Sequence, residues 1–197
     1  MPPKQQRGAA TVQKVLNAAL DLAAAEGPGA LTMTALISRT GVSSGSLYHH
    51  FGSVDGLAAA LYARCMANLL DSLVEALEPE ATAREGVGAF VRAYLAFTRD
   101  RRSEAYFIHA SSHAGYLPAH AERIAAEKRP RMERIAAWLR PFVESGELVA
   151  LPDPLTEMLV VGPVAETSRR WLAGDPAVDL ETAAELLPDR VWNALRR

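Results

Sequence analysis

The sequence predicts an all-α protein: an N-terminal three-helix domain followed by a larger helical domain. Three observations predict it. Apolar residues recur three and four apart along nearly the whole chain, the spacing of one helix face, and no stretch alternates as a half-buried strand does. Of the 197 residues 49% are hydrophobic and only 7% aromatic, with alanine abundant, a balance that suits helices. Glycine and proline punctuate that pattern, most clearly at Gly27, Pro28 and Gly29 and again at Gly115 and Pro118.

Taken in order, residues 1–8 hold Lys4 and Arg7 and are expected to form a flexible basic arm. Residues 11–26 are the first helix, with Val12, Val15, Leu16, Ala19, Leu20 and Ala23 as its stripe. Residues 31–57 are expected to hold two short helices joined by a tight turn, then the start of a longer one. Thr32 is the candidate N-cap of the first, whose apolar face is Met33, Leu36 and Ile37. Gly41 stops it, because glycine reaches positive φ without steric cost. Val42 plugs the turn, Ser43 caps the second short helix, and Leu47 and Phe51 form its buried edge. Residues 55–77 continue as a long helix with Leu57, Leu61, Cys65, Leu69 and Leu73 on one side.

The remainder reads as further helices with short breaks. Residues 83–101 carry Val87, Phe90, Val91, Tyr94 and Thr98, and residues 102–113 carry Tyr106, Phe107, His109 and His113. Residues 119–144 turn Ile124, Met132, Ile135, Leu139 and Val143 inward, with a kink or irregular turn expected at Pro130. Residues 155–173 and 179–196 complete the chain as helices bent at Pro163 and Pro188. The domain boundary is placed at residues 53 and 54, giving a head of residues 1–53 and a body of residues 54–197.

The second short helix leaves Ser44, Gly45, Ser46, Tyr48, His49 and His50 facing outward. A solvated helix face is ordinarily charged, whereas this one carries hydroxyls, a phenol and two imidazoles. Such short donors and acceptors suit phosphate oxygens and base edges in a groove. Helix, glycine turn, helix is also the arrangement that lays its second helix in the DNA major groove. Charge distribution agrees weakly. Residues 1–52 hold Lys4, Arg7, Lys14 and Arg39 against Asp21 and Glu26, a net of +2, so the overall −2 leaves −4 for the rest.

Gly41, Val42, Ser43, Leu47, Tyr48 and Phe51 together resemble the DNA-binding domain of TetR-family transcriptional regulators (TetR/AcrR type), over roughly the first quarter of the chain. Two positions depart from that pattern: Thr40 stands where a small apolar residue is usual, and Val54 where a lysine often opens the next helix. The resemblance implies a homodimeric, ligand-responsive repressor on a near-palindromic, double-stranded operator. Thr32 and Tyr48 would hold phosphates, with Ser43 a further phosphate donor and the basic arm lending affinity. Ser44, Gly45, Ser46 and His49 would lie nearest the bases beside His50, with Thr34 reaching one from the preceding helix. The family dimerises through its two C-terminal helices, where Gly162 and Ala165 permit close approach and Trp192 could anchor a patch. The interface is therefore expected at Leu155, Leu159, Gly162, Ala165, Leu172, Leu187, Val191, Trp192 and Leu195. A small apolar or aromatic effector is expected in the body, in a pocket of Phe90, Tyr94, Phe97, Phe107, His109, His113, Met132 and Met158.

Competing chemistries are weaker. Gly41-Val42-Ser43-Ser44-Gly45 fits the GxSxG pattern of a hydrolase elbow, yet that elbow needs a strand before the serine and residues 34–40 have helical spacing. His109 and His113 stand four apart without a completing carboxylate, so no metal and no cofactor is expected. Cys65 excludes an internal disulfide and reads as a buried thiol. No segment is expected to span a bilayer and residues 1–10 lack a signal-peptide apolar core, which points to a cytoplasmic protein without membrane partners. The rival reading is a small-molecule carrier bundle without DNA activity, which salt dependence of binding would separate.

Overall fold

The structure is a computed structural model that describes the backbone of residues 3–112 and 114–197, and the side chains of these except residues 3–7 and 153. Among the described residues there are nine α-helices and no strand. They are α1 (Pro3–Glu26), α2 (Met33–Thr40), α3 (Ser44–Phe51), α4 (Val54–Leu77), α5 (Ala83–Asp100), α6 (Arg102–Ser111), α7 (Ala121–Glu144), α8 (Asp153–Leu172) and α9 (Leu180–Leu195). Single 3₁₀ turns at Pro28–Ala30 and Pro118–His120 mark the two glycine- and proline-rich breaks.

The chain divides into two compact units. The first comprises Met1–Met66 with Tyr106–Glu127, the second Ala67–Ala105 with Lys128–Arg197, so α4, α6 and α7 each contribute to both. In the first, Val15, Leu16, Ala19, Leu22 and Ala23 of α1, Met33 and Leu36 of α2, Leu47 and Phe51 of α3, and Leu57 and Leu61 of α4 are all buried. Arg64 ties α4 to α1, donating to Asn17 Oδ1 at 2.7 Å and to the Leu16 carbonyl at 3.1 Å. Tyr62, Tyr116 and Leu117 pack on Ala59, Ala63 and Ile124. Burial there pushes both phenols above their ordinary pKa. Cys65 is fully buried, as its place in the apolar stripe predicts.

In the second unit, Val87, Phe90, Val91, Tyr94 and Leu95 of α5 are buried, as are Val164 of α8 and Leu180, Val191 and Leu195 of α9. Thr98 and Ser168, both fully buried, lie 2.8 Å apart and share a hydrogen bond that sets the register of α5 on α8. The Trp138 indole fills the space over Gly86, where a Cβ would fall 2.1 Å from the ring, and Nε1 donates to the Glu80 carbonyl at 3.2 Å. Arg131 and Arg134 of α7 make two-pronged pairs with Asp71 and Glu78 of α4.

Several expectations are corrected. Helix α1 begins at Pro3 rather than at residue 11. A proline in the first turn forfeits only an N–H that has no helical partner, and Gly8 alone costs about 1 kcal/mol, too little to stop the helix. Helix α7 runs without interruption through Pro130 and Pro141, so no irregular turn occurs. Its apolar stripe does not all turn inward: Ile124 is buried, Ile135 and Leu139 are partly covered, and Met132 and Val143 are exposed. Finally, α4 does have the length and apolarity of a membrane-crossing helix. Since 67% of that stretch is buried within the protein, its apolar character is explained by packing.

Candidate nucleic-acid interface

Each end of the helix pair of α2 and α3 is held by a local side-chain or backbone device. Thr32, extended at φ −136°, accepts from the Ala35 N–H and starts α2. Ser43 accepts likewise from the Ser46 N–H and starts α3. Gly41 sits in the left-handed region at φ 65° and returns its N–H to the Ile37 carbonyl. Gly52, at φ 73°, closes α3 on the Tyr48 carbonyl. In both caps the hydroxyl only accepts, so the O–H proton of Thr32 and of Ser43 remains to donate outward, to a phosphate oxygen for example.

Thr40, a departure from the usual small residue, has a role that the sequence did not reveal. Its side chain is buried, donates to the Leu36 carbonyl at 2.6 Å and accepts from the Val42 N–H at 3.2 Å. It therefore replaces apolar filling with two hydrogen bonds that fasten the turn. The signal was present, because threonine next to a terminating glycine can bond back to the i−4 carbonyl. Gly56 is a second missed position. A Cβ there would lie 2.1 Å from the Phe51 carbonyl oxygen, so the first turn of α4 can approach the end of α3 only with glycine.

The predicted DNA-facing residues are placed together. Ser44, Gly45, Tyr48 and His49 are exposed and Ser46 and His50 partly so, while Leu47 and Phe51 face the core. Tyr48 is 52% exposed despite its ring, which leaves the phenol available at the surface. His49 and His50 meet edge to face at 5.3 Å, and His50 meets Phe51 at 6.3 Å. Thr32 and Thr34 are exposed at the start of α2, and Arg39 of α2 pairs with Glu26 of α1 at 2.9 Å.

The predicted effector residues fall in both units. Phe90, Tyr94 and Phe97 are buried on α5 in the second unit, whereas Phe107 and His109 belong to the first. His113 lies outside the described residues. Met132 and Met158 are 40% and 66% exposed, which corrects the inward orientation expected of Met132 and leaves both side chains largely uncovered among the described residues. Two cavities in the second unit, of about 260 and 340 Å³, are lined mainly by charged side chains of α5 and α9, among them Arg84, Arg92, Asp189 and Arg190. None of the expected aromatics lines either. No cluster with metal-ligand geometry occurs among the described residues.

The predicted interface residues divide by exposure. Leu155 and Leu159 are exposed at 48% and 36%, Gly162 is exposed, and Ala165, Leu172, Leu187 and Trp192 are partly covered. Val191 and Leu195 instead face inward, buried at 2% and 3% exposure, so they serve the core of their own chain. Leu186, 57% exposed on α9, joins the exposed set and was missed because Leu187 fits the helical stripe better.

Two short capped helices around a left-handed glycine, with a polar outer face on the second, define a helix-turn-helix DNA-binding module. Residues 15–61 match the family described as bacterial regulatory proteins, tetR family. The HTH-type transcriptional regulator BetI of Rhizobium meliloti (strain 1021) is 35% identical over 187 residues, covering 92% of this chain and 88% of that protein. The HTH-type transcriptional activator FasR of Mycolicibacterium smegmatis is 26% identical over 198 residues, covering 99% and 85%. Among solved structures, the transcriptional regulator FadR from Bacillus subtilis in complex with stearoyl-CoA superposes with a TM-score of 0.75 at 18% identity, over 91% of this chain and 96% of that one. The chain belongs to the TetR family, and it is a DNA-binding transcriptional regulator rather than an enzyme. Ser43 is accordingly a helix cap and not a nucleophile.

Proposed function

We propose that the protein is a cytoplasmic, homodimeric repressor that occupies a near-palindromic operator and leaves it when a small apolar molecule binds the body. The observation that carries the dimer is the run of exposed apolar side chains on α8 and α9: Leu155, Met158, Leu159 and Leu186. A second copy related by a two-fold axis would cover them. The dimer would then present two α3 helices about one turn of DNA apart, roughly 34–36 Å, which demands a palindromic site. Residues 1–53 serve as the reading head. Thr32, Ser43 and Tyr48 would bind phosphates, and Ser44, Gly45, Ser46 and His49 would face the bases, with Thr34 and His50 at the margins.

Repression follows from steric occupancy of the duplex. The effector acts by binding better to a conformation whose heads do not match the operator spacing. The stearoyl-CoA held by the structurally similar FadR makes long-chain acyl thioesters the first class to test, with Phe90, Tyr94 and Phe97 as the apolar wall on α5.

Light scattering on the purified chain should give a dimer. A duplex selected from genomic fragments should bind with an affinity that falls steeply as salt rises. Deleting the gene should raise expression from a promoter carrying that duplex, and adding acyl-CoA should release it. A monomer that ignores every duplex at low salt would overturn the reading, and a salt-insensitive apolar binder would favour the carrier bundle instead.

A further inference from the structure

We propose that the imidazoles of His49 and His50 are the cations with which the reading helix meets DNA, so that duplex binding takes up protons and tightens as pH falls. The inference rests on α3 being the reading helix, and its test is separable from a test of that assignment. Binding to duplex DNA is dominated by neutralisation of phosphates. Yet residues 41–54 contain no lysine and no arginine. Apart from the two imidazoles, the side chains that α3 turns outward are neutral: Ser44, Ser46 and Tyr48.

Position strengthens the assignment. Both histidines lie in the last turn of α3, beside the exposed Tyr48. Among the described residues the two rings meet each other, and His50 meets Phe51. The charged groups on the surrounding elements are few. On α2, Arg39 is engaged by Glu26 of α1 at 2.9 Å. On α4, Asp55 stands in the first turn. On α1, Lys14 and Asp21 are exposed, and Lys4 and Arg7 precede Gly8, whose added Cβ would stand 3.8 Å from the His50 ring.

Histidine is the side chain that exchanges a proton near neutral pH, and the acceptor edges of bases, with the negative potential of the duplex around them, favour its charged form. An imidazole whose proton affinity is higher in the complex than in the free protein adds affinity that is complete below its free-protein titration range. That contribution is lost as pH rises through the complex's own value. Each proton captured is worth about tenfold in affinity per pH unit within that window.

The test is fluorescence anisotropy on the full chain at constant ionic strength between about pH 6 and pH 8. The probes are a labelled duplex selected from genomic fragments and an unrelated duplex of equal length. The dissociation constant should fall between roughly tenfold and a hundredfold from the alkaline to the acid end. His49→Gln and His50→Gln should each flatten the slope and the double variant abolish it. His49→Lys should bind tightly with a shallower dependence, and it carries the test should the double variant fail to fold. A flat wild-type profile, or a slope that survives both glutamines, overturns the proposal while leaving α3 as the reading helix. Absence of binding at every pH overturns the assignment of α3 and this inference with it.

Discussion

The α2–α3 hairpin and helix α8 expose their side chains for opposite reasons. In the hairpin the outer residues are polar, and Thr32, Gly41, Ser43 and Gly52 define every helix end. Two helices of eight residues would be marginal alone, and these caps with the buried Met33, Leu36, Leu47 and Phe51 make them stable. Helix α8 has 20 residues, begins after Pro152 with no side-chain cap bond, and leaves Leu155, Met158 and Leu159 in water. Exposure in the hairpin is chemically satisfied by solvent, whereas exposure on α8 is satisfied only by another apolar surface.

Four experiments break or sharpen that contrast. Gly56→Ala should have the largest effect, since its Cβ would meet the Phe51 carbonyl at 2.1 Å. A loss of about 4 kcal/mol, read by thermal denaturation, is expected because backbone must move. Met158→Glu with Leu159→Glu should leave the helical content intact by circular dichroism, convert the dimer to monomer by light scattering, and weaken operator binding about a hundredfold, roughly 3 kcal/mol. If the double glutamate stays dimeric, the apolar face of α8 has another purpose.

Tyr48→Ala should weaken binding about tenfold on every duplex, with no change in melting temperature, as a phosphate contact from an exposed side chain requires. An effect confined to one sequence would move Tyr48 from the backbone to a base edge. Thr32→Ala should be the mildest, costing about 1 kcal/mol of stability for the lost cap on Ala35. A larger loss of affinity than of stability would add the outward-facing O–H to the phosphate contacts.

Legibility follows the range of the interactions involved. Caps, turn glycine and the buried edge of α3 were readable because each depends on residues within four positions of one another. The covering of the body's apolar faces was not, because periodicity places Phe90, Phe107 and Met158 on helical stripes but does not show which stripes neighbours cover. Met132 and Val143 failed in the same way: an apolar face on α7 is legible, its partner is not. Thr40 and the Thr98–Ser168 pair were missed because a buried hydroxyl earns its place only through partners supplied by the fold.

By itself the sequence determined the helical class, the position and ends of α2 and α3, and the chemistry they present, since all three arise from local backbone and side-chain preferences. Only the tertiary structure decided that Gly56 must lack a side chain, that Val191 and Leu195 belong to the core, and that Met158 and Leu186 stay exposed. Those outcomes depend on which surfaces meet across long stretches of chain, and close packing, not spacing, settles them.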